Sequence, residues 1–111
     1  MKKEFKKYKL NDYVTMQVIH FTPELMTAQY WFTGPGFDGT HHHSNQEVDI
    51  VISGIFEATN AAEKKKVYPG QSITVSRDDE HNMECLTPTG HMISTWTPAR
   101  KDIIEKYTEL V

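Results

Sequence analysis

The chain has 111 residues, enough for one domain but not for two, and 38% of them are hydrophobic, which a single core must bury. Lys and Arg number 12 against 15 Asp and Glu, a formal net charge of −3, so there is no basic field to hold a phosphate backbone and nucleic acid is not expected as a partner. Charged residues at 24% and aromatics at 11% exclude the low-hydrophobicity, high-charge signature of disorder.

The amino end from Met1 to Lys9 is basic, but Leu10-Asn11-Asp12 follows where a leader would have an apolar stretch, so no signal peptide is expected. Runs of β-prone residues predict strands over Tyr13 to Phe21, Leu25 to Thr33, Val48 to Phe56, Lys65 to Tyr68, Ser72 to Val75, His81 to Leu86 and His91 to Trp96. Turn residues separate them, at Thr22-Pro23-Glu24, Gly34-Pro35-Gly36, Asn60 to Glu63, Pro69-Gly70, Arg77 to Glu80 and Thr87 to Gly90. Turns at such regular intervals predict an all-β sandwich or barrel. Lys64-Lys65-Lys66 reads as the solvated tip of a hairpin. At the carboxyl end Thr97-Pro98 offers an N-cap followed by proline at the first helical position. Ile103, Ile104, Tyr107 and Val111 then recur at helical spacing, with Asp102 four residues before Lys106. A short amphipathic helix is predicted there, its apolar stripe a lid on the sandwich.

No apolar run exceeds three residues, as in Ile50-Val51-Ile52, against the ~20 that a bilayer span needs, so no membrane partner is expected. Cys85 is the single cysteine; no intrachain disulfide can form, which predicts a reducing, cytoplasmic setting. A lone cysteine on a strand reads as packing rather than as a nucleophile.

Three of the six histidines are consecutive, His41, His42 and His43. On a strand, alternation places His41 and His43 on one face, and continuing that parity carries Glu47, Asp49 and Val51 to the same side. Two imidazoles and a carboxylate form a ligand set for iron, manganese, nickel or zinc. Asp49 would orient a ligand imidazole, act as a general base, or make an ordinary cross-strand contact. The opposite face presents Val48, Ile50 and Ile52. That row requires cover, either from a second subunit in a two-fold homodimer or from the amino-terminal strands of the same chain. Met83 and Cys85 share the face of His81 and would form an apolar pocket wall.

The run from His41 to Gly54, with histidines at 41 and 43, glutamate at 47 and glycine at 54, resembles the first motif of the cupin superfamily at every fixed position. Gly70 and His81 fit the second motif, while Ser76, Asp78 and Cys85 stand where it has proline, glycine and asparagine. The resemblance implies a small double-sheet jelly-roll barrel, and one divalent transition metal held by His41, His43, Glu47 and His81, with coordination positions open for water, substrate or dioxygen. The tail Ser94-Thr95-Trp96-Thr97-Pro98-Ala99-Arg100 is similar to that of the pectin-degradation cupins, which open the ring of unsaturated uronates. In that group an acid, an aromatic residue and an arginine of the tail work beside the metal. Here Ser94 stands in place of the acid, and Glu47 in place of a carboxamide ligand. The resemblance implies that Arg100 grips a substrate carboxylate and Trp96 stacks on a sugar ring, with Met83 and Ser94 also lining the pocket and Arg100 and Asp49 as the catalytic candidates. The expected function is isomerase or lyase chemistry on a small carboxylated, carbohydrate-like molecule. A metal-dependent dioxygenase and a non-catalytic ligand-binding module are the alternatives.

Overall fold

The computed structural model describes residues 4–111; Met1, Lys2 and Lys3, part of the basic amino end, lie outside the described residues. Among the described residues nine strands precede one helix: β1 (Lys7–Lys9), β2 (Val14–Thr22), β3 (Leu25–Phe32), β4 (Gln46–Ser53), β5 (Phe56–Asn60), β6 (Glu63–Val67), β7 (Ser72–Val75), β8 (His81–Cys85), β9 (Gly90–Thr97) and α1 (Lys101–Tyr107). A six-stranded sheet runs in the order β1-β2-β3-β9-β4-β7 and a three-stranded sheet in the order β6-β5-β8. Every pairing in the two sheets is antiparallel. This is the expected all-β, double-sheet arrangement with a short carboxyl-terminal helix.

Side-chain alternation explains how the sheets close on each other. Along β9 buried and half-buried residues alternate without a break, and β3 keeps the same rhythm, so each strand gives one face to the core. Phe32 on β3 meets Phe56 on β5 edge to face, 4.9 Å between ring centroids, which ties the large sheet to the small one. Burying each of these rings contributes on the order of 2–3 kcal/mol. At one end of the sandwich Ala99 and Ile103 are buried, with Ile104 and Tyr107 packed against them, so α1 is the expected lid.

Four details depart from the sequence reading. The expected strand Val48 to Phe56 is divided in two, because Gly54 takes φ +81° and turns the chain. A Cβ there would stand 2.6 Å from the carbonyl oxygen of Thr89, which explains why this motif position must be glycine. Lys64, Lys65 and Lys66 lie along β6, an edge strand, rather than at the hairpin tip; exposed lysines there oppose pairing with another sheet. Thr97 is the last residue of β9, paired with Gln46, so it is not free to cap the helix, and the Thr97–Pro98 peptide is cis. The helix therefore starts at Lys101 with Arg100 as N-cap, and Val111 falls beyond its end. No helix among the described residues is long and apolar enough to cross a membrane.

The outward face of β4 follows the expected parity. Ile50 is 40% and Ile52 46% exposed, so the account in which the amino-terminal strands cover this row does not hold. Those strands lie in the same sheet, beyond β9, and cannot fold over their own neighbour.

Candidate metal centre

The three histidine positions and Glu47 are assembled by short-range backbone bonds rather than by one long strand. His41 forms an isolated bridge with His81, its N–H donating to the His81 carbonyl at 3.0 Å and its carbonyl accepting from the His81 N–H at 2.9 Å. Residues 42–45 form no strand, contrary to the parity expected from a continuous extended run. Local bonds take the place of a ladder there. The Asp78 N–H donates to the carbonyl of His43 at 2.8 Å, and the Asn45 amide donates to the carbonyl of Pro98 at 2.7 Å. Asp78, in the place of the motif glycine, takes φ +65°, the left-handed region that aspartate tolerates better than most side chains. The regular strand begins at Gln46, and Glu47 is its first inward-facing residue.

Around Glu47 Oε1, His43 Nε2 lies at 2.9 Å, His81 Nε2 at 3.3 Å and Trp96 Nε1 at 2.7 Å. The opposite nitrogen of each ring is tied to the backbone. His43 Nδ1 is 3.0 Å from the Asn45 carbonyl and His81 Nδ1 is 2.9 Å from the Asp79 carbonyl. A carbonyl only accepts, so each Nδ1 carries a hydrogen and each neutral ring directs the lone pair of Nε2 at the carboxylate. His81 Nε2 is buried with no hydrogen-bond partner. Lone pairs facing one carboxylate oxygen repel unless a proton or cation lies among them. Neighbouring ligands of an octahedral ion with bonds of ~2.1 Å stand about 3 Å apart, close to the separations seen. His43, Glu47 and His81 thus form a group able to hold a metal ion, with all three ligand atoms within 4.8 Å of one another. Backbone carbonyls that fix the tautomer of ligating imidazoles are a usual accompaniment of such sites.

The electrostatics agree with that chemistry. Burial pushes the Glu47 carboxyl up, but donation from His43 and His81 once those rings carry a proton on Nε2 outweighs it and holds the group below the usual carboxylate range. Burial, and then the charge of Glu47, push Asp49 well above that range. Burial alone would lower His81, yet the Glu47 carboxylate and the Asp79 carbonyl favour its protonated ring and raise it. His41 is lowered, first by desolvation and then by the nearby His81, which keeps its ring neutral at physiological pH.

A small cavity of 40 Å³ lies against these residues, and Glu47, His81, Met83, Ser94, Trp96 and Arg100 are all on its wall. His41 is at its mouth, its ring centroid 4.3 Å from that of His81, but its nitrogens fall outside the close group of three. Asp49 does not reach the cavity. It is fully buried behind Ser94, its register partner on β9, and accepts a hydrogen bond from Ser94 Oγ at 2.5 Å, the cross-strand contact among its expected roles. Trp96, expected as a stacking platform, is only 1% exposed, and its polar edge holds Glu47. Arg100 lies 5.7 Å over the Trp96 ring, and its fork already holds Asp102, at 3.3 Å from Nε and 2.6 Å from Nη2. Cys85 is buried packing, its Sγ 3.4 Å from the Thr87 carbonyl oxygen.

Sequence reading missed Asn45, Asp79, Tyr30 and Phe37. Asp79 acts through its backbone and left no side-chain signal. Asn45 sits in the spacer of the first motif, where any residue is allowed, although an amide so close to three histidines was a usable hint. Tyr30 and Phe37 line the cavity from β3 and the loop after it, which no local pattern connects to the histidines.

Neither a family model nor a curated protein sequence matches the chain. Solved structures do. A cupin described as RmlC-like, from Shewanella frigidimarina, is 27% identical with a TM-score of 0.83, over 89% of this chain and 88% of its own. KdgF from Halomonas sp. is 22% identical with a TM-score of 0.83, over 88% of this chain and 90% of its own. A cupin superfamily protein from Desulfitobacterium hafniense is 10% identical with a TM-score of 0.72, over 83% and 84%. The order of strands, the two facing sheets and the 27% identity to the RmlC-like cupin over most of both chains lead to one conclusion: the chain is a small domain of the cupin superfamily.

Proposed function

We propose that this protein is a metal-dependent enzyme that moves a proton on a small carboxylated, carbohydrate-like molecule, an isomerase or lyase by reaction class. The observation that carries the reading is the convergence of His43 Nε2 and His81 Nε2 on Glu47 Oε1, with Glu47 and His81 on the wall of the cavity that Arg100 also borders. His43, Glu47 and His81 would hold one divalent transition metal, iron, manganese, nickel or zinc, with the neutral ring of His41 as a fourth ligand. Such an ion, when bound, supplies Lewis acidity toward a substrate oxygen.

The remaining work falls to the chain itself. Arg100 binds the substrate carboxylate, exchanging Asp102 for it, since a planar guanidinium matches a carboxylate in two parallel bonds. Trp96 keeps Glu47 oriented through its N–H. Ser94 Oγ is on the cavity wall and already donates to Asp49 Oδ1, so it can accept a substrate proton while passing its own to Asp49. In this way the carboxylate that the pectin-degradation cupins carry on β9 has a counterpart across the ladder on β4. Met83, Met92 and Phe32 make the rest of the wall apolar and keep bulk water out. The similarity of the tail to those cupins supports a uronate as the substrate class. The exposed Ile50 and Ile52 support a homodimer, and the lone buried Cys85 supports a reducing, cytoplasmic setting.

Metal analysis and turnover test the reading together. Purified protein is expected to hold about one metal equivalent, lost in His43→Ala and His81→Ala and weakened about 10-fold or more in His41→Ala. It is expected to open an unsaturated uronate, seen as loss of the ultraviolet absorbance of the conjugated double bond, and to stop after chelation. Full metal retention by His43→Ala, or no conversion with any of the four metals, overturns it.

A further inference from the structure

Two spaces adjoin at the candidate centre. The inner cavity of 40 Å³ accommodates a few water-sized groups, at ~10–15 Å³ each, and not a sugar ring with its substituents. The outer cleft of 690 Å³ is within the ~300–1,000 Å³ range of small-molecule sites. Tyr30, Phe37, His41 and Arg100 border both and form the throat between them. A ligand entering this way can place only its head group beside Glu47 and His81; a uronate ring held at Arg100 then sits in the throat, and the body of any group joined to it must lie in the cleft.

The walls of the cleft define that body. Beyond the throat stand two tyrosines, Tyr13, which is 46% exposed, and Tyr107, held edge-on by Tyr8 at 5.1 Å. Their rings suit the C–H faces of a sugar. Asp12 and Asp38 also line it, and neither has an ion-pair partner among the described residues. Free carboxylates of this kind accept hydrogen bonds from hydroxyls. Taking all charged residues of the cleft, Arg100 and Lys106 face Asp12, Asp38 and Asp102, two positive against three negative. That balance disfavours a second anionic group in the body. The cation that borders both spaces is Arg100, at the throat, so the single carboxylate belongs there.

We propose that the outer cleft is a second binding subsite, for an uncharged sugar ring joined to a uronate whose carboxylate sits at Arg100. This rests on the reading of the inner cavity as a carboxylate-binding centre. The preferred ligand is then a disaccharide with one charge, not a free monosaccharide and not a polyuronate.

Calorimetric titration of the purified, metal-containing protein with three probes tests it: glucuronate, glucuronate linked to xylose, and digalacturonate. One stacked ring and one hydrogen bond together should make the singly charged disaccharide bind about 10-fold tighter than glucuronate. Digalacturonate should gain less than about 3-fold, because its second carboxylate meets Asp12 and Asp38. Tyr13→Ala and Asp38→Asn should each remove most of the gain and leave glucuronate affinity unchanged. Asp38→Asn is exposed and keeps the test open should Tyr13→Ala perturb the fold. Glucuronate binding with no gain from the second ring, or a gain that survives both substitutions, overturns the subsite alone. Absence of binding by all three probes overturns the carboxylate reading beneath it.

Discussion

Glu47 and Trp96 are direct partners across β4 and β9, and the indole N–H of Trp96 donates to Glu47 Oε1 at 2.7 Å inside the core. The largest buried side chain of the protein thereby orients the one carboxylate of the candidate centre. Trp96→Phe keeps most of the ring volume and removes the donor. Loss of such a supporting bond is expected to weaken metal binding about 10–100-fold, read by competition with a chromogenic chelator. Stability should fall by about 1–3 kcal/mol in the metal-free protein, because Glu47 loses a partner where water cannot replace it. Unchanged metal affinity in Trp96→Phe would remove the indole from any part in the site.

Asp49 gives a pH-dependent prediction whose sign follows from its burial. Its folded-state pKa is raised above the ordinary value of 3.8, so in the metal-free protein folding takes up a proton at pH values where the unfolded chain has lost it. The stability contribution is complete below the unfolded pKa and is lost as pH rises toward the folded one. Asn cannot ionise, so the stability advantage of Asp49→Asn over the parent should grow between pH 4 and pH 8 in chelator-treated protein. A difference of 1 kcal/mol would be read as roughly 4–8 °C in Tm. The same substitution removes the proton acceptor of Ser94, and turnover should fall about 100-fold or more with metal still bound. A Tm difference independent of pH would argue against the raised pKa.

Gly54 and Gly70 both have positive φ, +81° and +85°, but differ in what surrounds them. A Cβ at Gly54 would meet the Thr89 carbonyl oxygen at 2.6 Å, whereas at Gly70 nothing lies within 4 Å. Gly70→Ala should therefore cost only the backbone strain, about 1 kcal/mol, and Gly54→Ala clearly more, on the order of 3 kcal/mol, in urea unfolding. Equal costs would show that the turn, not the close approach to Thr89, fixes glycine in the first motif.

The outward row on β4 sets the fourth expectation. Ile50 and Ile52 are exposed side by side on the same face, and cover by a second copy is part of the proposed reading. Ile50→Lys with Ile52→Lys should convert a dimer to a monomer in light scattering, with little change in the metal site, because these side chains point away from Glu47. A parent protein that already scatters as a monomer at micromolar concentration would refute the dimer.

The order of residues alone determined a good deal. Turn residues at regular intervals marked an all-β chain, the spacing of His41, His43, Glu47 and Gly54 marked the first motif, and period-two alternation placed Glu47 and Asp49 inside and Ile50 and Ile52 outside. These are local properties, set by backbone geometry and side-chain parity, and they survive without knowledge of distant contacts. Parity failed between His41 and Asn45, where backbone bonds to Asp78 and His81 replaced a strand. The three-dimensional arrangement alone decided the rest. That Trp96 serves Glu47 by its N–H and not its ring face, that Asp102 fills the fork of Arg100, and that Asp49 stands opposite Ser94 all depend on the pairing of β4 with β9 and on the start of α1. Pairing between strands 45 residues apart in the chain is chosen by the whole core, and hydrogen-bond partners in the interior are chosen by what burial denies to water.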